Sequence, residues 1–229
     1  MPQPSLPDYY ARRLPEYDAI YARPERQADL EQLRSAVARA FVGDRVLELA
    51  CGTAYWTQLI AEVAHSVLAT DAAVSVANSA RGRVFPSSTV SFAVADAFSL
   101  PVAAGRFTAV FAGFWWSHVP RQRLPEFLAA ISDTVGLGVK VVFIDNRFVP
   151  GSSAPISRAD SVGNTYQVRT LPDRAEVEIL KNFPSAAELR SAAEASGTDL
   201  EITELQYYWW LSYRTRRAGS ERTTRPARG

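Results

Sequence analysis

Apolar residues recur at Leu30, Leu33, Val37 and Phe41, every three or four positions, so Gln27 to Phe41 predicts an amphipathic helix with one buried face. Gly43 and Asp44 then turn the chain into Val46–Ala50, a run short enough and apolar enough for a buried strand. The same alternation continues downstream. Helical patterns over 54–64, 72–83 and 125–135 interleave with strand-like runs over 66–71, 90–96, 107–113 and 139–145. In the last of those helices Phe127, Leu128, Ile131 and Val135 share one face. Strands alternating with helices imply right-handed crossovers and a parallel sheet covered on both sides, an α/β, Rossmann-like doubly wound fold.

The pattern changes after Asp145. Residues 146–164 carry Pro150, Gly151, Ser152, Ser153, Pro155 and Gly163, a segment too long for a mere connector. Residues 166–171 and 175–183 read as two strands around a Pro-Asp-Arg turn. Ser185 and Glu188 form a capping box that opens a helix running to Ser196, with Gly197 as its stop. Residues 200–206 and 207–214 are strand-like and end the sheet as antiparallel C-terminal strands. Upstream, Pro2, Pro4, Pro7, Pro15 and Pro24 limit helix to a short stretch within Asp8–Tyr21. The expected organisation is one domain over 1–213, with a helical N-terminal part (1–42), an inserted loop and cap hairpin (146–184), and an Arg-rich tail (214–229).

Composition narrows the partners. A hydrophobic share of 47% is ordinary for a packed globular chain, and a formal net charge of +1 gives no overall argument for nucleic acid or an anionic membrane. The single cysteine, Cys51, excludes an internal disulfide. The N-terminus has no apolar core behind a basic start, and no apolar run of about 18 residues occurs. The expectation is therefore a cytoplasmic protein, with nucleic acid and membrane disfavoured as partners and the oligomeric state open. No carboxylate–histidine cluster has metal-ligand spacing, so no metal is expected.

Candidate chemistry sits in VLELACGTAYWTQLIA, where a Gly-containing turn joins a buried strand to a helix. There Gly52 lets backbone approach a ligand, and the helix start offers unpaired N–H donors. Glu48 lies four residues before Gly52, and Asp71 ends the next strand nineteen positions after it, placed for both hydroxyls of a ribose. A dinucleotide fingerprint would need G-x-G-x-x-G, but Ala50, Gly52 and Tyr55 stand in those places.

These residues resemble the first motif of class I S-adenosylmethionine-dependent methyltransferases, E/D-x-G-x-G-x-G, with Glu48, Ala50, Gly52 and Ala54 in its places. Asp71 in VLATD and Asp96-Ala97 in AVADAF match the family's ribose and adenine motifs, and the likeness extends over about residues 9 to 213. The resemblance implies S-adenosyl-L-methionine as cofactor, held by Tyr10, Tyr17, Glu48, Ala50, Gly52, Asp71, Ala72, Asp96, Ala97 and Phe114. It likens the N-terminal tyrosines to the lid of small-molecule methyltransferases. It also implies methyl transfer to an N or O atom of a small metabolite.

Trp115, Trp116, Asn146, Tyr166 and Tyr213 are the candidate acceptor contacts, and His118 the candidate general base. Gly113-Phe114-Trp115-Trp116 replaces the Pro-Pro-Tyr element of amide and nucleobase methyltransferases, which points to an aromatic or amphipathic acceptor. Two alternatives stay open: a peptide, protein or RNA acceptor, hinted at by the Arg-rich tail, and a non-catalytic binding protein, hinted at by Ala50 and Ala54.

Overall fold

The computed structural model describes residues 6–85, 89–103 and 105–216. A seven-stranded sheet has the order β3-β2-β1-β4-β5-β10-β9, built from β1 (Arg45–Glu48), β2 (Ser66–Asp71), β3 (Val90–Val94), β4 (Ala109–Gly113), β5 (Lys140–Asn146), β9 (Gly197–Glu204) and β10 (Tyr208–Thr215). β1 to β5 pair in parallel, whereas β10 runs antiparallel to both β5 and β9. The chain order reverses between β1 and β4, and ligands bind at such a switch point beyond the strands' carboxyl ends. This is the doubly wound fold the alternating pattern predicts.

Side-chain alternation along the central strands fills two cores. Leu47, Leu49, Val141 and Phe143 face one side, against Phe127, Leu128, Ile131 and Val135 of α5 (Leu124–Val135) and Leu189 and Ala193 of α6 (Ala186–Ser196). Val46, Val142 and Ile144 face the other, against Leu30, Leu33 and Val37 of α2 (Gln27–Ala40) and Trp56 and Ile60 of α3 (Tyr55–Ala61). α4 (Val74–Arg81) links β2 to β3. Among the described residues no helix is long and apolar enough to cross a membrane.

The Ser185–Glu188 capping box forms as the sequence predicts. Gly197 does not stop α6 in a left-handed turn; it is extended, at φ −163°, and begins β9 directly. Glycine is needed there for space, because a Cβ would lie 2.3 Å from the Tyr213 ring and 2.4 Å from the Arg214 carbonyl.

Two additions roof the sheet's carboxyl edge. α1 (Leu6–Arg13) runs into a 3-10 segment over Leu14–Ala22, where the sequence predicts a short helix. The insertion folds as a separate antiparallel sheet of β6 (Arg158–Ala159), β7 (Thr165–Thr170) and β8 (Glu176–Leu180). The roof parts share a small core of Tyr9, Leu171, Val177 and Ile179, and Arg12 pairs with Asp173 in the β7–β8 turn. Of the Arg-rich stretch, Arg214 lies on β10 and residues 217–229 fall outside the described residues.

Candidate active site

Behind β1 the chain makes a turn whose three glycine-pattern positions all have positive φ: Ala50 at 50°, Gly52 at 56° and Ala54 at 63°. A Cβ on Gly52 would make only ordinary contact with the Tyr17 ring, at 3.7 Å, so conformation rather than space calls for glycine there. Ala50 and Ala54 keep the left-handed backbone at a cost of roughly 1 kcal/mol each. Ala50→Gly is therefore expected to raise stability in urea unfolding by about 0.5 kcal/mol after the entropy of glycine is deducted. A loss of stability would show that the turn is not strained at Ala50.

The first chamber, roughly 750 Å³, opens against this turn. Ala50, Gly52, Thr53, Asp71 and Ala72 line one end, Asp96 and Ala97 another, and Gly113, Phe114 and Trp115 the exit of β4. Asp71 accepts from the Gly52 N–H at 3.1 Å and the Ala73 N–H at 2.9 Å, which fixes its carboxylate at the chamber wall. Asp96 accepts from the Phe98 N–H at 2.9 Å and is exposed. Phe114 also has positive φ, 60°, and the buried indole N–H of Trp115 has no partner among the described residues. Backbone strain gathered around one cavity is a mark of function. Asp18 clamps the roof over the turn, accepting from the Thr53 hydroxyl at 2.6 Å and pairing with Arg83.

Glu48 does not line this chamber. It lies 1% exposed beneath the turn with Oε2 unpartnered, and burial pushes its carboxyl up to about 8, with Thr57 opposing and Asp71 adding to the rise.

A second chamber of about 780 Å³ adjoins the first, and Tyr10, Tyr17, Phe114 and His118 belong to both walls. His118 Nδ1 stands 2.8 Å from the Leu180 carbonyl, which can only accept, so Nδ1 carries the proton. Its Nε2 then accepts from the Tyr10 hydroxyl at 2.6 Å. Burial and the Lys181 ammonium hold this imidazole well below its ordinary pKa. Behind it, Lys181 bonds the Ser117 hydroxyl at 2.6 Å and Asp145 at 3.2 Å. Burial would raise Asp145, but Lys181 and the Ser117 N–H keep it below the usual carboxylate range.

Among the candidate acceptor contacts, Asn146 lines the second chamber and Trp115 the first. Three others stand away from both. Trp116 is buried in the core against Phe143 and Trp209, because the 3-10 turn after Trp115 swings it under the sheet. Tyr213 points inward from β10 into the same core. Tyr166, on β7, bonds Asp160 at 3.1 Å and stacks under Arg158. Residues that sequence spacing does not single out make up the second chamber instead: Arg13, Arg23, Arg26, Gln167, Arg169 and Lys181.

The first chamber fits S-adenosylmethionine on its own geometry. An acid at the end of β2 faces a turn open to close backbone approach, a second acid ends β3, and aromatic rings close the side next to the second chamber. Residues 46–137 match the family model described as a methyltransferase domain. A solved complex of DhpI with SAH is 28% identical over 91% of this chain and 94% of its own, with a TM-score of 0.71. A DhpI–SAM–HEP complex matches at 28% over 90% and 94%, with a TM-score of 0.69. The [4+2]-cyclase SpnF, 16% identical over 94% and 98% with a TM-score of 0.65, shares the fold alone. No curated protein sequence matches significantly. The cofactor chamber, the methyltransferase domain matched over residues 46–137 and the SAM- and SAH-bound neighbours together support a class I S-adenosylmethionine-dependent methyltransferase.

Proposed function

We propose that the enzyme transfers a methyl group from S-adenosylmethionine to an oxygen or nitrogen atom of a small metabolite seated in the second chamber. The observation that carries this reading is the shared wall: Tyr10, Tyr17, Phe114 and His118 are the boundary across which a donor in the first chamber meets an acceptor in the second. A concave chamber beneath a roof, walled by the N-terminal segment and the insertion, suits a small molecule rather than a folded protein or RNA.

When bound, the cofactor supplies an electrophilic methyl carbon on a sulfonium. Asp71 and Asp96 hold its nucleoside end, the positive-φ turn gives it room, and the aromatic boundary excludes water from the transfer line. The protein's chief task is then positioning, because an in-line displacement needs no enzyme-bound intermediate.

The test is isothermal titration of S-adenosylmethionine into the full chain, followed by release of its demethylated product in the presence of an acceptor panel. Asp71→Ala is expected to weaken cofactor binding by about tenfold to a hundredfold, the loss of one or two hydrogen bonds to a charged group, with circular dichroism unchanged. Unaltered affinity would place the ribose elsewhere, and no binding by the wild type would remove the reading.

A further inference from the structure

Among the described residues five cationic side chains, Arg13, Arg23, Arg26, Arg169 and Lys181, line the second chamber, and no acidic side chain does. Two of the five are served nearby: Lys181 by Asp145, and Arg26 by Ser152, Asn146 and a distant Glu25 at 3.9 Å. Arg23 reaches the same Glu25 only at 4.0 Å. Arg169 is different. Among the described residues its Nε is buried without a partner, its guanidinium bonds only Gln167, at 2.6 Å, and no carboxylate lies within ion-pair distance. Burial lowers its pKa, Tyr9 and Tyr10 oppose that, and the like charges of Arg13 and Arg23 add to the lowering. A partly buried guanidinium beside other cations is costly unless something of opposite charge completes the cluster.

The same chamber has no group ready to take a proton. The lone pair of His118 Nε2 is occupied by the Tyr10 hydroxyl, and Nδ1 is committed to the Leu180 carbonyl. A neutral alcohol or an ammonium must lose a proton in becoming a methyl ether or amine, whereas an oxyanion need not.

Resting on the methyltransferase reading, we propose that the acceptor is a small oxyanion, a carboxylate or a phosphoryl or phosphonyl group, gripped by Arg169, Arg13 and Arg23 and methylated on one of its own charged oxygens. The new bond joins that oxygen to the methyl carbon. The carbon–sulfur bond breaks, and its electron pair stays on sulfur as the neutral thioether. One positive and one negative charge cancel, no proton moves, and the product is a methyl ester. Tyr10 and His118 act as positioning residues. Arginine forks suit either planar or tetrahedral oxyanions, so the two acid classes share this chemistry.

The experiment uses the full chain saturated with the demethylated cofactor and titrates it with methylphosphonate in one arm and butyrate in the other. At least one anion is expected to bind, and which one does separates the two classes. Binding should weaken tenfold or more in both Arg169→Gln and Arg13→Gln, while cofactor affinity stays as in the wild type. In turnover, a panel of carboxylates and phosphonates is set against the matching amides, alcohols and amines, with products weighed by mass spectrometry. Methyl esters alone are expected, with a carboxylate rate level from about pH 6 to 9, where the acceptor is already ionised.

Three results overturn the proposal: neither anion binds, binding is indifferent to both arginine variants, or methyl ethers or amines form while the acids stay unchanged. A rate that climbs with pH through the neutral range and levels in Tyr10→Phe overturns it as well, by revealing proton removal through the Tyr10–His118 pair. Failure of the methyltransferase reading looks different: the cofactor itself does not bind.

Discussion

Replacing Lys181 by methionine is expected to destabilise the protein by about 3–5 kcal/mol in urea unfolding, although the change removes no large apolar contact. Asp145 is 0% exposed, and the Lys181 ammonium 3.2 Å away is the only cation within ion-pair distance of it among the described residues. Without that cation the carboxylate must stay buried and uncompensated or take up a proton, and the Ser117 N–H and Asn146 N–H that point at it are arranged for the charged form. Pairing Lys181→Met with Asp145→Leu should recover much of the loss, since removing both charges abolishes the burial cost. A single substitution costing less than about 1 kcal/mol would mean that water reaches Asp145.

Glu48→Gln should act in the opposite direction, by an amount that grows as pH rises above 4.5. In the folded cofactor-free protein the carboxyl ionises near 8, against an unfolded value of 4.5, so the folded state holds one more proton than the unfolded state between those limits. Stability therefore falls as pH rises through that window, and the penalty is complete above it. Glutamine keeps the shape and never ionises. Near pH 4 the variant and wild type should melt nearly together, whereas at pH 9 the variant should be more stable by on the order of a few kcal/mol. A constant gap between the two melting curves at both pH values would show that Glu48 is not buried as an acid.

The fold was legible because its signals are local. A helix face such as Leu30, Leu33 and Val37, and a strand such as Ser66–Asp71, announce themselves by period and length, and both appear where the pattern puts them. The cofactor side was legible for a related reason: Gly52, Asp71 and Asp96 sit at strand ends that one topology brings together. The acceptor side was hidden. Arg13 and Arg23 come from the N-terminal roof and Arg169 and Lys181 from the insertion, more than a hundred residues apart, and a net charge of +1 averages the cluster away.

Aromatic doublets mislead for a different reason. Trp115 and Trp116 look equivalent in sequence, yet consecutive residues in a tight turn point apart, so one borders the cofactor chamber and the other packs beneath the sheet. The expectation of an aromatic or amphipathic acceptor leaned on both. Gly197 shows a comparable ambiguity, since a glycine after a helix reads as a left-handed stop whether its role is conformational or, as here, clearance from the Tyr213 ring.

The roof joins two distant stretches of chain through Tyr9, Leu171, Val177 and Ile179, a core separate from the two that cover the sheet. Lifting either stretch alone would expose the apolar surface that the other covers, so this core couples the N-terminal segment to the insertion. The Arg12–Asp173 pair adds to that coupling, while Asp18 to Thr53 and Arg83, Tyr10 to His118 and Lys181 to Asp145 tie the roof to the main sheet and its turns. Opening the chamber and unfolding the protein thus share contacts, and substitutions in this small core are expected to alter both how fast molecules come and go and the melting temperature.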